Sequence, residues 1–302
     1  MTEILETAGV VALVRRGDRL WHHYADLIES SGSALSVLAD DPGEPESLEP
    51  PTLFADEAAP ETPPEVDLDA IAEEITAWRD EGMQVLTILD EEYPPNLRTI
   101  HNRPPLLFVA GELTSEDSRS VAVVGTRRAS PRGLAAASAI AAELADDGFT
   151  VTSGLAEGVD TAVHRAALDR GRRTVAVIGT GLRRSYPATN AALQRRIASE
   201  GAVVSQFWPD APPTRSSFPM RNVVMSGFSL ATVVVEASQT SGAKMQARFA
   251  LEHGRPVFLL ASLLEHAWAR EYAERPGAYV VESAADIAAQ VERLTSVETL
   301  TA

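Results

Sequence analysis

The sequence predicts an α/β fold: a parallel sheet with helices on both faces, preceded by a small helical N-terminal region. Three observations carry this. From residue 119 onward, short apolar runs alternate with helix-patterned stretches. Several of those runs stop at a glycine. A stretch rich in Pro and Glu, residues 40–66, sets this part off from the N-terminal region.

The elements follow in order. Leu20, Tyr24, Leu27 and Ile28 recur at helical spacing, so residues 1–39 read as a helical region. Residues 40–66, DDPGEPESLEPPTLFADEAAPETPPEV, cannot bury a core and read as an exposed acidic linker. Residues 67–118 form a helix-and-strand extension. Leu68, Ile71, Ile75 and Trp78 share one helix face, and QVLTI at 84–88 is a strand. YPPNL and RPP then read as rigid turns, because proline fixes φ and lacks an N–H. In the main domain, 119–294, strands are predicted at SVAVVG, TVTSG, TVAVIG, AVVSQF, ATVVVEA, PVFLLA and AYVVE. Helices are predicted over 133–147, 159–170, 189–199, 243–253 and 284–294, and 295–302 is left as a tail. Such a succession folds as right-handed βαβ units with the sheet buried on both faces.

Composition narrows the function classes. No apolar run of the 302 residues reaches the roughly 18–20 needed to cross a bilayer. Acidic residues precede the first apolar run, the wrong order for a secretory leader, so a cytoplasmic location is expected. There is no cysteine, which excludes disulfides, thiolate catalysis and cysteine-ligated zinc. The six histidines show no metal-binding spacing, and neither a structural metal nor a cofactor is expected. The net charge of −17 argues against nucleic acid until its distribution is read. Residues 1–115 carry a net −18 and residues 256–302 a net −4, but residues 116–255 carry a net +5. The basic centre coincides with the predicted sheet.

A Rossmann-like sheet holds ligands at the carboxyl ends of its strands, where strand order reverses. The loops at those ends are VVGTRRAS (123–130), TSGLAEGVD (152–160), VIGTGLRRSYPATN (177–190) and VEASQTSGAK (235–244). Glycine lets the backbone approach an anion, and a following helix N-terminus offers unpaired N–H groups. None is a standard nucleotide signature: GxxxxGK with a following Ser or Thr is absent, and GTGLRR places Arg184 where GxGxxG needs glycine. One such loop reads as a tight turn. Four on one edge, with Arg127, Arg128, Arg183 and Arg184 among them, read as a rim for phosphates.

YPPNLRTIHNRPPLLFVAGEL (93–113), VAVVGTRRAS, SGLAEGVDTAVHRAAL, TVAVIGTGLRRSYPATN, FPMRN and VVVEASQTSGAK resemble, in order and spacing, the DprA/Smf DNA-processing family. The resemblance covers roughly residues 84–262 and rests on G-S/T-R-x-x-S, SG-x-A-x-G-x-D-x-x-x-H and FP-x-RN taken together. It implies single-stranded DNA as ligand, a RecA-type recombinase as partner, a homodimer, and a role in DNA uptake and recombination rather than an enzyme's. It points to Gly125, Thr126, Arg127, Ser153, Gly154, Gly158, Asp160, His164, Tyr186, Pro187, Asn190, Arg221, Asn222, Glu236, Ser241 and Gly242. Taken with the loop-rim reading, the expected DNA- or phosphate-binding positions are Gly125, Thr126, Arg127, Arg128, Ser153, Gly154, Gly158, Gly179, Gly181, Tyr186, Asn190, Arg221, Asn222, Ser241, Gly242 and Lys244. The chain departs from the family pattern at Val223, at Lys244, at Gln206 and at Leu260-Ala261-Ser262. With eight residues left after Leu294, no C-terminal winged helix is expected. Two other classes stay open: a sensor of a nucleotide-derived ligand, and an N-glycosidic hydrolase working through Glu236.

Individual residues carry competing readings. Asp160 and His164 share a helix face and fit either acid/base work or a cap with a satisfied imidazole; the structural reading is preferred. Glu236 reads as a hydrogen-bond partner of a neighbouring loop. Arg221 and Asn222 fall in a stretch read as irregular, where an arginine contacts phosphate. Phe207, Trp208 and Phe218 read as packing before base stacking.

Overall fold

The computed structural model describes residues 2–40 and 66–301. The segment read as an acidic linker therefore lies, apart from Asp40 and Val66, outside the described residues. The chain divides into two compact units, Met1–Glu91 with Pro104–Leu106, and Glu92–Arg103 with Leu107–Ala302. Among the described residues no helix is long and apolar enough to cross a membrane.

The first unit holds α1 (Thr2–Arg16), α2 (Trp21–Ser31), α3 (Ala34–Asp40), α4 (Leu68–Asp80) and β1 (Met83–Thr87). Every residue from Thr7 to Val14 is buried, which suits a helix apolar around its whole circumference. Glu6 on α1 caps α3, accepting from Ser33 Oγ at 2.6 Å and Ala34 N at 2.7 Å. Asp67 caps α4 through Ala70 N at 2.9 Å, and Arg15–Glu74 at 2.6 Å links α4 to α1.

In the second unit α5 (Pro95–Arg98) and all but the first residue of β2 (Leu106–Gly111) lead into an alternating series. It runs β3 (Ser120–Val124), α6 (Pro131–Asp146), β4 (Thr150–Ser153), α7 (Val159–Asp169), β5 (Thr174–Val177), α8 (Ala191–Glu200) and β6 (Ala202–Ser205). It continues with α9 (Ser217–Phe228), β7 (Ala231–Val234), α10 (Gly242–Glu252), β8 (Val257–Leu260), α11 (Ala267–Ala273), β9 (Ala278–Val281) and α12 (Ala284–Thr301). The strands lie in the order β2-β6-β5-β4-β3-β7-β8-β9. From β6 to β9 all neighbours are parallel, while β2 runs antiparallel to β6 with Phe108 opposite Ser205. Strands β3 to β8 are buried throughout, the mark of a sheet covered on both faces. Winding from β3 to β6 goes one way, and β7 then returns to the other side of β3. The topological switch point is therefore the β3–β7 pair, with Val121 opposite Ala231.

Several elements differ from the sequence reading, among them α5, where a rigid turn was expected, and α11, where no helix was expected. β2 begins directly after the two prolines that marked a turn. α9 replaces the irregular stretch around Arg221: SFPMRNVVMSGF has weak helix propensity, but Pro219 lies in the first turn, where its missing N–H is harmless. Burial of Val224, Met225 and Phe228 then holds that helix by tertiary packing rather than propensity. α12 does not stop near 294 but runs to Thr301.

Two histidines are built in as neutral rings. His164 is fully buried, its Nδ1 2.8 Å from Thr174 Oγ1; burial first, then the charge of Arg221, lowers its pKa to about 3. His253 sits between Ser226 Oγ at 2.7 Å and Asn102 Oδ1 at 2.9 Å; burial first, then His101 and Arg255, lowers it to about 4. Both folded values lie below the ordinary 6.5, so the unfolded chain takes up protons that the folded chain refuses. Stability from these rings is therefore complete above about pH 6.5, falls as pH drops below it, and levels off near pH 3–4. Urea unfolding at stepped pH is expected to show this loss, with His164 alone contributing on the order of 1 kcal/mol per pH unit. A His253→Asn variant should show a shallower acid slope than the parent chain.

Candidate nucleic-acid interface

The loops after β3 and β7 meet over the switch point. Thr126 N donates to Glu236 O at 2.7 Å, and Val235 N donates to Val124 O at 3.0 Å. Ser130 caps α6 by accepting from Gly133 N at 3.0 Å. The Glu236 carboxylate accepts from Ser130 N at 3.0 Å and Ser130 Oγ at 2.7 Å, so it bonds the neighbouring loop.

Arg221, delivered by α9, is only 7% exposed. Its Nη1 donates to Gly154 O at 2.6 Å and Val177 O at 2.9 Å, and its Nε donates to Asn222 Oδ1 at 2.9 Å. One side chain thus ties the ends of β4 and β5 to α9. Asp160, in the first turn of α7, is buried beside it and accepts from Ala156 N at 3.2 Å. Burial pushes the Asp160 carboxyl above the ordinary carboxylate range, against the opposing pull of Arg221. His164 bonds Thr174 rather than Asp160, so the two do not form an acid/base pair.

Two clefts open on this edge. One, of about 380 Å³, is lined by Gly125, Thr126, Arg127, Arg128, Arg221, Asn222, Ser241 and Gly242, with Asp160 in its wall. The other, of about 280 Å³, is lined by Gly154, Gly179 and Tyr186. Arg127, Ala156, Phe218 and Arg221 belong to both clefts. At that junction the Arg127 guanidinium lies 5.1 Å over the Phe218 ring and 5.9 Å over the Tyr186 ring. The two rings are 5.5 Å apart, and Tyr186 is 42% exposed. The arrangement offers a cation for phosphate beside aromatic faces for bases. A third cleft, of about 830 Å³, lies beyond Arg128 and is lined by Ser130, Glu236, His266 and Glu282.

Eleven of the predicted positions thus come together on the two clefts. Five do not line them. Ser153 donates its hydroxyl to Val123 O at 2.7 Å inside the sheet. Asn190 is buried and clamps Leu155 O at 3.0 Å and Thr161 Oγ1 at 2.8 Å. Gly158 has φ 78°, and a Cβ there would meet Thr126 O at 2.4 Å, so it fits the backbone under the β3 loop. Gly181 donates its N–H to Ala211 O at 2.9 Å. Lys244 points its Nζ at Trp268 and Tyr272, 5.9 and 5.8 Å from the ring centres, on another side of α10. The sequence reading set Phe218 aside as packing. Its i,i+3 relation to Arg221 is a signal only once α9 is known to be a helix.

The model for DNA recombination-mediator protein A matches residues 84–292. The chain belongs to the DNA recombination-mediator protein A family. It is similar to the DNA processing protein DprA of Streptococcus pneumoniae, 38% identical over 208 residues, which cover 68% of this chain and 73% of that protein. It is 42% identical to Protein Smf of Escherichia coli over 185 residues, 61% of this chain and 50% of that one. The chain thus spans about half the length of that Smf relative. Among solved structures, DprA from S. pneumoniae superposes with a TM-score of 0.64 at 34% identity, covering 74% of this chain and 80% of that chain. DprA from Helicobacter pylori superposes with a TM-score of 0.61 at 27% identity, covering 71% and 96%. Work on the H. pylori structure describes that protein's single-stranded DNA binding mode. Matched family residues therefore include both clefts and the switch point.

The two arginines at the junction should separate by experiment. Arg221→Met leaves Asp160 buried without its counter-charge and removes the donor for Gly154 O and Val177 O. It is expected to lower unfolding free energy by about 3 kcal/mol in urea titration. Arg127→Ala, at an exposed position, should stay within about 0.5 kcal/mol of the parent. Equal stability of the two variants would refute the buried-anchor account of Arg221.

Proposed function

We propose that this chain is a single-stranded DNA-binding mediator of DNA uptake and recombination, presenting the strand to a RecA-type recombinase. The carrying observation is the exposed Arg127 guanidinium set over Phe218 and Tyr186 where the two clefts join. Phosphate attraction and base stacking are both indifferent to sequence, which suits a protein that must accept any strand. Clefts of about 280 and 380 Å³ match splayed nucleotides better than a base-paired duplex. The net +5 of residues 116–255 within a chain of −17 concentrates the attraction on the same domain. The single-stranded DNA binding described for the H. pylori relative supports this reading. The recombinase partner and a homodimer are proposed on family membership alone.

Fluorescence anisotropy with a labelled (dT)30 strand at two salt concentrations tests the proposal. Binding is expected at low salt and should weaken steeply as salt rises. Arg127→Ala should lose roughly tenfold in affinity and flatten the salt slope by about one unit. Tyr186→Ala should lose about 1–3 kcal/mol with little change in slope, as a stacking residue does. No binding at low salt rejects the proposal.

A further inference from the structure

In an open α/β sheet, the helix start beside the switch point is where a nucleotide phosphate docks, on free N–H groups and the positive end of the helix dipole. Here that place is the start of α6, a helix of 16 residues. Pro131, its first residue, has no N–H to offer. The Ser130 N–H and hydroxyl both go to Glu236, at 3.0 and 2.7 Å, and the Gly133 N–H goes to Ser130 Oγ at 3.0 Å. A Cβ at position 133 would lie 1.9 Å from Glu236 Oε2, so the glycine leaves the room in which the carboxylate lies against the helix end. Glu236 thus holds the place of an anionic ligand. The large cleft beyond it carries two more carboxylates, Glu265 and Glu282, on its lining, together with Arg128 and Arg132.

We propose that Glu236 is the specificity-determining residue of this edge. Its carboxylate fills the anion seat of α6, bars free phosphate and mononucleotides from it, and confines a polynucleotide backbone to the two clefts that meet at Arg127. The last part rests on the proposed DNA-binding function; the occupied seat does not. Exclusion by a resident like charge is a repulsive device, acting against the wrong ligand rather than for the right one.

The test uses the full chain as parent, Glu236→Ala and Glu236→Gln, with inorganic phosphate, dTMP and (dT)30 as probes. Thermal shift and isothermal titration calorimetry read the binding. Any binding of phosphate or dTMP by the parent should be weak and should be lost with Arg127→Ala, since it belongs to the two clefts and not to α6. Glu236→Ala should bind phosphate about tenfold or more tightly than the parent, within what a helix N-terminus gives an anion. Glu236→Gln keeps an acceptor for the Ser130 N–H and should move the same way by less. If the alanine variant fails to fold, the glutamine variant decides alone. Affinity for (dT)30 should stay within about threefold of the parent in both variants, since the strand lies elsewhere. A folded variant that gains no phosphate binding overturns the occupied seat, and so does a parent that already binds phosphate as tightly. A large change in (dT)30 affinity overturns the confinement. Absence of (dT)30 binding in all three proteins, with the phosphate gain intact, removes the DNA-binding function and leaves the seat standing.

Discussion

A guanidinium only 7% exposed is an unfavourable thing to place in a protein interior, and Arg221 is tolerated because its surroundings satisfy it. Two backbone carbonyls, from Gly154 and Val177, and the Asn222 side chain accept its protons, and the buried Asp160 supplies the opposing charge. The bonds join residues 44 and 67 positions apart in the chain. They hold the exits of β4 and β5 at a fixed distance from α9, and with α9 they position Phe218. The shape of both clefts follows from that anchor. A lysine, with a single ammonium centre, would not span the same carbonyls and amide together.

Charge is divided among the side chains of this edge by exposure. Arg221 is buried and spends its donors internally. Arg127 is exposed, rests on aromatic faces and lines both clefts. Arg183, which the motif also places on this edge, pairs with Asp210 at 2.5 Å. Glu236 closes the opposite flank by occupying the start of α6. A row of arginines in the sequence is therefore not a row of equivalent phosphate contacts. What distinguishes them is which already have a partner in the fold.

Much of the architecture is legible in the sequence. Runs such as SVAVVG and ATVVVEA are too apolar and too β-branched to be surface turns, and their alternation with helices implies a parallel sheet. The convergence of four glycine-bearing loops also follows, because successive parallel strands end on the same edge. β2 and α9 were not legible, for a common reason. LLFVAG follows two prolines and SFPMRNVVMSGF contains a proline and a glycine, so local signals opposed what tertiary contacts impose. In α9, burial of Val224, Met225 and Phe228 outweighs the weak propensity.

The sequence by itself determined the α/β class, the edge on which the loops gather and the family to which the chain belongs. These depend on hydrophobic periodicity and on motifs whose residues lie close together along the chain. Only the tertiary structure decided which polar side chains are available to a ligand. Ser153, Asn190 and Arg221 are consumed by buried hydrogen bonds, Lys244 faces aromatic rings elsewhere, and Phe218 joins Tyr186 and Arg127 from a helix the sequence concealed. Hydrogen-bond satisfaction is settled between groups far apart in the chain, and no local pattern of residues reports it.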